Sequence, residues 1–111
     1  MASTAIGPAF GGMEALLRCL ATDLGPAGVR VAGIRSGAMA ETRTIQQSAE
    51  NVARTMGVSK AQVVSRFEQA TLLRHLPTVT DTARLAAFLA SDGARTLTGA
   101  IVNASSGSVI D

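Results

Sequence analysis

The stretch from Gly7 to Ile34 constrains the fold most, because it reads as a helix running straight into a strand. Phe10, Met13, Leu17, Leu20 and Leu24 recur at steps of three and four, the spacing that lines one face of an α-helix. Gly25 followed by Pro26 is a stop signal. Glycine can close the helix in the left-handed conformation without steric cost, and proline cannot continue the hydrogen-bond ladder. Val29 to Ile34 then supplies a short, mostly apolar run entering Ser36-Gly37, as expected of a strand buried in a parallel sheet. A helix-to-strand unit of this kind predicts a doubly wound α/β fold.

The remaining elements follow from the same periodicity. Arg43 to Gly57 carries Ile45, Ala49, Val52, Ala53 and Met56 at helical spacing and ends on a glycine placed to cap it. Ser59 to Gln62 matches a capping box, so a third helix is expected over about Lys60 to Ala70. After Pro77, Thr80 is placed to cap a fourth helix, with Asp81 in its first turn against the helix dipole. Ala83, Leu85, Ala86, Phe88, Leu89 and Ala90 make that helix apolar nearly all round, which predicts burial. Ser91-Asp92-Gly93 ends it, Gly99 turns the chain, and Ala100 to Asn103 reads as a second strand. Ser105 to Asp111 reads as a polar tail, and Met1 to Ile6 is too short for a defined element.

Two strands joined by helices, with no hairpin turn between them, are expected to pair parallel through a right-handed crossover. Parallel sheets are covered on both faces and need several strands. Residues 1–111 are therefore expected to form a single partial domain of a larger sheet, completed by upstream sequence or by another copy. Apolar residues make up 47% of the chain, yet there is no Trp, no Tyr and only three Phe, so the core must be Ala, Leu, Val and Ile.

Several function classes are disfavoured by composition. The net charge of +2 comes from scattered Arg and a single lysine, Lys60, with no basic run or aromatic platform, which argues against nucleic-acid binding. No Cys/His cluster could hold a metal. No apolar run approaches the roughly 20 residues needed to cross a bilayer, and the first six residues lack the pattern of a signal peptide. Cys19 is the only cysteine, which excludes an internal disulfide and fits a reducing, cytoplasmic setting. With no His or basic partner at helical spacing, it reads as a small buried hydrophobe. His75 reads as a loop or lid residue, and Glu41 and Asp81, lacking a paired carboxylate, as solvated charge and cap. Ser105-Ser106-Gly107 is not the nucleophile elbow of a hydrolase.

Two stretches carry a family resemblance. Thr80 to Asp92 followed by Leu97 to Asn103 resembles the helix E-D-V-A…A-F-L-A-S-D and the I-T-G-x-x-x-x-V-D-G-G run of short-chain dehydrogenases/reductases. Met13 to Val31 is similar to that family's A-L-x-x-L-x-x-x-L-A-x-E-L-x-P-x-G-I-R-V, in the same order and spacing. The likeness covers nearly the whole chain and corresponds to the C-terminal part, less than half, of a typical member. It implies the C-terminal portion of a Rossmann-like sheet and an oxidoreductase using NAD or NADP.

The departures bear on activity. In the family a Tyr acts as general acid, a Lys four residues later lowers its pKa and holds the ribose, and an upstream Ser polarises the carbonyl. At the aligned positions stand Ile6 and Phe10, hydrocarbons unable to do either job. The longer Tyr-to-Lys spacing of related enoyl reductases is not restored by the distant Lys60. No catalytic residue is therefore assigned, and the chain is expected to be inactive by itself. Ser36-Gly37 stands where the family's P-G contacts nicotinamide, and Glu41-Thr42 where its Thr often meets the pyrophosphate. The resemblance thus implies Ser36, Gly37, Met39 and Thr42 as cofactor contacts.

A rival register reads Gly7 to Met13 as the family's glycine-rich cofactor loop, with Arg35-Ser36 facing a 2′-phosphate. Met13 replaces the third glycine, Pro8 interrupts the loop and no strand precedes it, so the C-terminal register explains more. In that register the helices over 43–70 fall where the family carries its substrate lid, an amphipathic surface cover being the other reading. Gly11-Gly12 inside the first helix costs roughly 1 kcal/mol per residue unless something approaches closely. The resemblance implies homo-oligomer contacts through the 7–24 and 80–91 helices. Two functions follow: part of an NAD(P)-dependent oxidoreductase, or a non-catalytic assembly module derived from that fold.

Overall fold

The computed structural model describes residues 6–110, so the Met1 to Ile6 stretch lies outside the described residues except for Ile6 itself. Along the chain run α1 (Ile6–Leu24), β1 (Gly33–Ser36), α2 (Arg43–Met56), α3 (Lys60–Gln69), α4 (Val79–Ala90) and β2 (Ile101–Ala104), with single 3₁₀ turns at Gly25–Ala27 and Asp92–Ala94. β1 and β2 pair side by side in parallel, giving the α/β arrangement that the helix-to-strand reading predicts. Two compact units can be distinguished. One runs to Ile34 and takes in Ala86–Val102; the other comprises Arg35–Leu85 and the residues from Asn103 onward.

In the first unit the chain does not leave its helical path at Gly25. Pro26 has the φ that a first turn needs, so the chain tightens into a 3₁₀ turn. The left-handed residue is Gly28, at φ 78°, whose N–H donates to the Gly25 carbonyl at 2.9 Å. The strand also starts later than Val29. The Val31 N–H donates to Thr98 Oγ1 at 3.1 Å and its carbonyl accepts from the Gly99 N–H at 2.7 Å, so this approach is held by a turn. Ladder pairing follows, with the Gly33 N–H on the Ala100 carbonyl at 3.0 Å. A Cβ on Gly33 would lie 2.6 Å from Leu17 Cδ1, which shows how closely α1 lies on the strand.

The apolar face of α1 is only partly covered. Leu17 is half-buried and Ala21 buried, whereas Phe10 and Met13 are 60% and 64% exposed. Cys19, expected inside, is exposed because it faces away from the strand-covering side. α4 likewise departs from the expected burial: Leu89 is buried, but Phe88 is about half exposed, since one side of the helix has no cover among the described residues. The C-terminal end of α4 is secured by Arg30. Its Nη1 donates to the carbonyls of Leu89 at 2.8 Å and Ala94 at 3.1 Å, and its Nη2 to that of Ser91 at 3.2 Å. A cation here meets carbonyls that the helix end leaves unpaired.

The second unit contains the α2–α3 hairpin. Ala49, Ala53 and Val63 form its buried core, with Val52, Val58, Val64 and Phe67 packed around them. Gly57 closes α2 at φ 64°, as its position after Met56 predicts. Ser59 and Gln62 form the expected capping box: Ser59 Oγ accepts the Gln62 N–H at 3.2 Å and Gln62 Oε1 accepts the Ser59 N–H at 2.9 Å.

Two local expectations change in this unit. The cap of α4 is Thr78 rather than Thr80: Thr78 Oγ1 accepts the Asp81 N–H at 3.0 Å and Asp81 Oδ2 accepts the Thr78 N–H at 3.0 Å. Asp81 fills the third helical position of this reciprocal pair, so the helix begins one residue before Thr80. Nor is the stretch after β2 a loose polar tail. Ser105 is 1% exposed, and the Asn103 amide donates to the Val109 carbonyl at 2.9 Å, folding the segment back. Polar side chains here satisfy backbone groups inside a turn instead of meeting solvent.

Candidate functional site

The residues singled out for cofactor contact fall in one place, the segment leaving the C-terminal end of β1 in the second unit. Ser36 ends the strand and is exposed. Gly37 follows against the end of β2, where an added Cβ would stand 3.0 Å from the Ser105 carbonyl oxygen and 3.1 Å from Ser105 Cα. The neighbour is backbone, so a side chain at this point would require the Ser105 backbone to give by a few tenths of an ångström.

Beyond it the chain makes a tight turn. The Thr42 N–H and Oγ1 both donate to the Met39 carbonyl, at 3.0 and 2.8 Å. Thr42 then caps α2 in extended geometry, φ −78° and ψ 142°, but its side chain makes no cap bond. The Gln46 side-chain amide returns to the Ala40 carbonyl. The turn is also fastened to the start of α4. Glu41 Oε2 accepts the Val79 N–H at 2.7 Å, and Thr82 Oγ1 donates weakly to Met39 Sδ at 3.5 Å.

The electrostatics centre on the same helix end. Asp81 is held below the ordinary carboxylate range, first by the Thr78 hydroxyl and then by the Thr78 N–H, both of which favour its charged form. Glu50 on α2 is likewise lowered, first by its hydrogen bond to Lys60, whose Nζ lies at 2.8 Å.

A second segment lies beside the end of β2. The Leu73 N–H donates to the Ser106 carbonyl at 3.2 Å, and buried Thr71 donates its hydroxyl to the carbonyls of Glu68 and His75. Gly107, at φ 78°, sits so close to Leu72 that a Cβ would lie 2.6 Å from Leu72 Cβ. His75 is exposed in this loop, its Nδ1 3.3 Å from the Leu76 carbonyl.

Ile6 and Phe10 lie in the first unit, on α1, as exposed hydrocarbons. No group of three or more His, Cys, Asp or Glu able to hold a metal occurs among the described residues. Sequence reasoning missed the Glu41 link to Val79, 38 residues away, because nothing in local spacing marks a carboxylate that caps a remote helix.

Residues 2–108 match the family model described as enoyl-(acyl carrier protein) reductase. The chain belongs to the short-chain dehydrogenase/reductase family. It is 35% identical over 102 residues to the NADH-dependent enoyl-[acyl-carrier-protein] reductase FabI of Synechocystis sp., covering 92% of this chain and 36% of that protein. It is 36% identical over 96 residues to the FabI of Haemophilus influenzae, covering 86% of this chain and 32% of that one. The chain thus spans about a third of the length of these relatives.

Solved structures of the short-chain dehydrogenase/reductase family share the backbone. A family protein from Francisella tularensis superposes with a TM-score of 0.90 at 24% identity, over 96% of this chain and 43% of that one. An oxidoreductase from Burkholderia thailandensis gives 0.78 at 28% identity, over 95% and 38%.

The residues present fit a nicotinamide dinucleotide in part. The hydroxyl hydrogen of Thr42 is committed to the Met39 carbonyl, so the side chain offers an acceptor where a phosphate needs a donor. The first-turn amides of α2 are not occupied by the Thr42 side chain and suit an anion better.

Proposed function

We propose that the chain supplies the C-terminal portion of an NAD(P)-dependent oxidoreductase and presents Ser36, Gly37, Met39 and Thr42 to the cofactor. The observation that carries this reading is the placement of that segment directly after the C-terminal end of a parallel strand, running into the start of a helix. Ligands of doubly wound folds bind outside the carboxyl ends of their strands. The named activities of the FabI relatives and their dependence on NADH support the same class.

When bound, the cofactor would supply hydride. In this reading Ser36 and Gly37 lie towards its nicotinamide end, and Thr42 with the first turn of α2 towards its pyrophosphate. The chain itself would transfer no proton, since it contains no Tyr and carries Ile6 and Phe10 at the aligned positions. Strands from outside the described residues would complete the two-stranded pair. The helices over 43–70 would serve as the substrate lid of residues 1–111, one partial domain, and a single cysteine suits a cytoplasmic setting.

The exposed apolar residues of α1 favour a second reading, a non-catalytic module that assembles with its own copies. Phe10, Met13 and Leu16 are each more than half exposed and lie together on that helix, and Phe88 of α4 is also exposed in the same unit. A homo-oligomer through the 7–24 and 80–91 helices would cover them.

One pair of measurements separates the two. Fluorescence titration with NADH and NADPH, beside an NAD(P)H oxidation assay, should give binding of at least one dinucleotide with no turnover by the chain alone. Sedimentation of the same sample reports assembly. A stable oligomer that binds neither dinucleotide would replace the first reading with the second.

A further inference from the structure

The turn between β1 and α2 is fastened to its surroundings in an uneven way. The bonds of Thr42 to the Met39 carbonyl and of Gln46 to the Ala40 carbonyl tie it to residues a few positions away. The Thr82 contact with Met39 sulfur is long and weak. Glu41 differs, because its carboxylate accepts the Val79 N–H at 2.7 Å from a residue 38 positions along the chain.

The start of α4 explains why a carboxylate is needed. A helix cannot pair its first-turn amides internally, and its N-terminus carries partial positive charge. Thr78 and Asp81 satisfy each other and the Asp81 amide, which leaves the Val79 amide to an acceptor from elsewhere. Glu41 fills that role with a charge-assisted bond, roughly twice as strong as a neutral one.

We infer that Glu41 is a positioning residue, whose carboxylate on the Val79 amide sets the Ser36–Thr42 segment in place for a cofactor. This rests on the reading of that segment as cofactor-facing.

The test compares the full chain with Glu41→Ala and Glu41→Gln. Hydrogen exchange is followed at the Val79 amide and at residues 38–42, and dissociation constants are measured for NADH and NADPH. In Glu41→Ala, exchange at Val79 and in the turn should rise about tenfold, the scale of one charge-assisted hydrogen bond. The dissociation constant for the preferred dinucleotide should rise several-fold, and Glu41→Gln, which keeps a neutral acceptor oxygen, should restore about half of both losses.

Unchanged exchange at residues 38–42 in Glu41→Ala would overturn the inference. A uniform rise in exchange across the chain, not rescued by Glu41→Gln, would also overturn it, by showing a general loss of stability. If the unaltered chain binds neither dinucleotide, the cofactor reading falls alone and the exchange comparison still decides whether Glu41 holds the turn.

Discussion

Arg30 holds the Leu89 carbonyl at 2.8 Å although 59 residues separate them in the chain. The same guanidinium reaches the carbonyls of Ser91 and Ala94 and, at 3.5 Å, that of Leu97, so one side chain gathers three close acceptors and a fourth, longer one where α4 gives way to a 3₁₀ turn. A planar fork of donors suits this cluster in a way that an ammonium does not.

Replacing Arg30 with Met should therefore cost about 2 kcal/mol or more, the scale of hydrogen bonds to a charged group. Urea unfolding should show a lower midpoint with an unchanged slope. Arg30→Lys should recover only part of the loss, because an ammonium cannot span all three carbonyls. Equal midpoints for the unaltered chain and Arg30→Met would mean that the carbonyls find water at no cost.

Gly107 and Gly12 should respond oppositely to alanine. At Gly107 a methyl group meets Leu72 at 2.6 Å on a backbone of φ 78°. The left-handed conformation alone costs a non-glycine residue about 1–2 kcal/mol, so Gly107→Ala should destabilise by at least that much. At Gly12 nothing lies within 4 Å, and alanine should gain up to about 1 kcal/mol in an isolated chain. Loss of stability in Gly12→Ala would reveal another molecule packed on that side of α1. Gly12→Leu should go further and lower the mass in solution if copies meet there.

Removing the Ser59 hydroxyl tests the α2–α3 hairpin by itself. Ser59→Ala deletes an acceptor for the Gln62 amide and should cost about 1 kcal/mol. The loss should appear as faster hydrogen exchange in the first turn of α3.

The Asp81 carboxyl gives the chain a defined acid sensitivity. Its pKa is lowered from 3.8 by the Thr78 hydroxyl and amide. A group depressed in the folded state stabilises above its unfolded value, and that stability is lost as pH falls through the folded value. On acidification from about pH 5 to below 3.8, the unaltered chain should therefore lose more stability than Asp81→Asn, whose amide does not titrate. Thermal melts at stepped pH would show the two curves converging. Parallel curves would mean that Thr78 does not favour the charged form. Glu50 shifts in the same direction through Lys60, and its contribution should be common to both proteins.

Cys19 provides a readout for α1. As an exposed thiol it should react with a disulfide reagent without prior unfolding. Protection that disappears on dilution would report that copies cover this helix.

Features set by near neighbours along the chain were legible from residue types alone. The Gly57 stop and the Ser59–Gln62 box depend on residues within one turn, and both form as expected. The Thr78–Asp81 pair shows where such reading slips: several threonines compete for the cap, and the register is fixed by which one faces the aspartate. Arg30 and Glu41 were not legible, because their partners lie 59 and 38 residues away and are backbone groups without a side-chain signature. Helical periodicity correctly marked α1 as amphipathic, but a pattern of apolar residues cannot state whether the cover belongs to the same molecule. The Ser36 to Thr42 segment was singled out by resemblance, whereas the commitment of the Thr42 hydroxyl to Met39 arises only when the turn closes.

The α2–α3 hairpin fills its core from its own side chains, Ala49 and Ala53 against Val63, and caps its own second helix. Because core and cap are both drawn from within the hairpin, substitutions on its outward face leave its own packing intact.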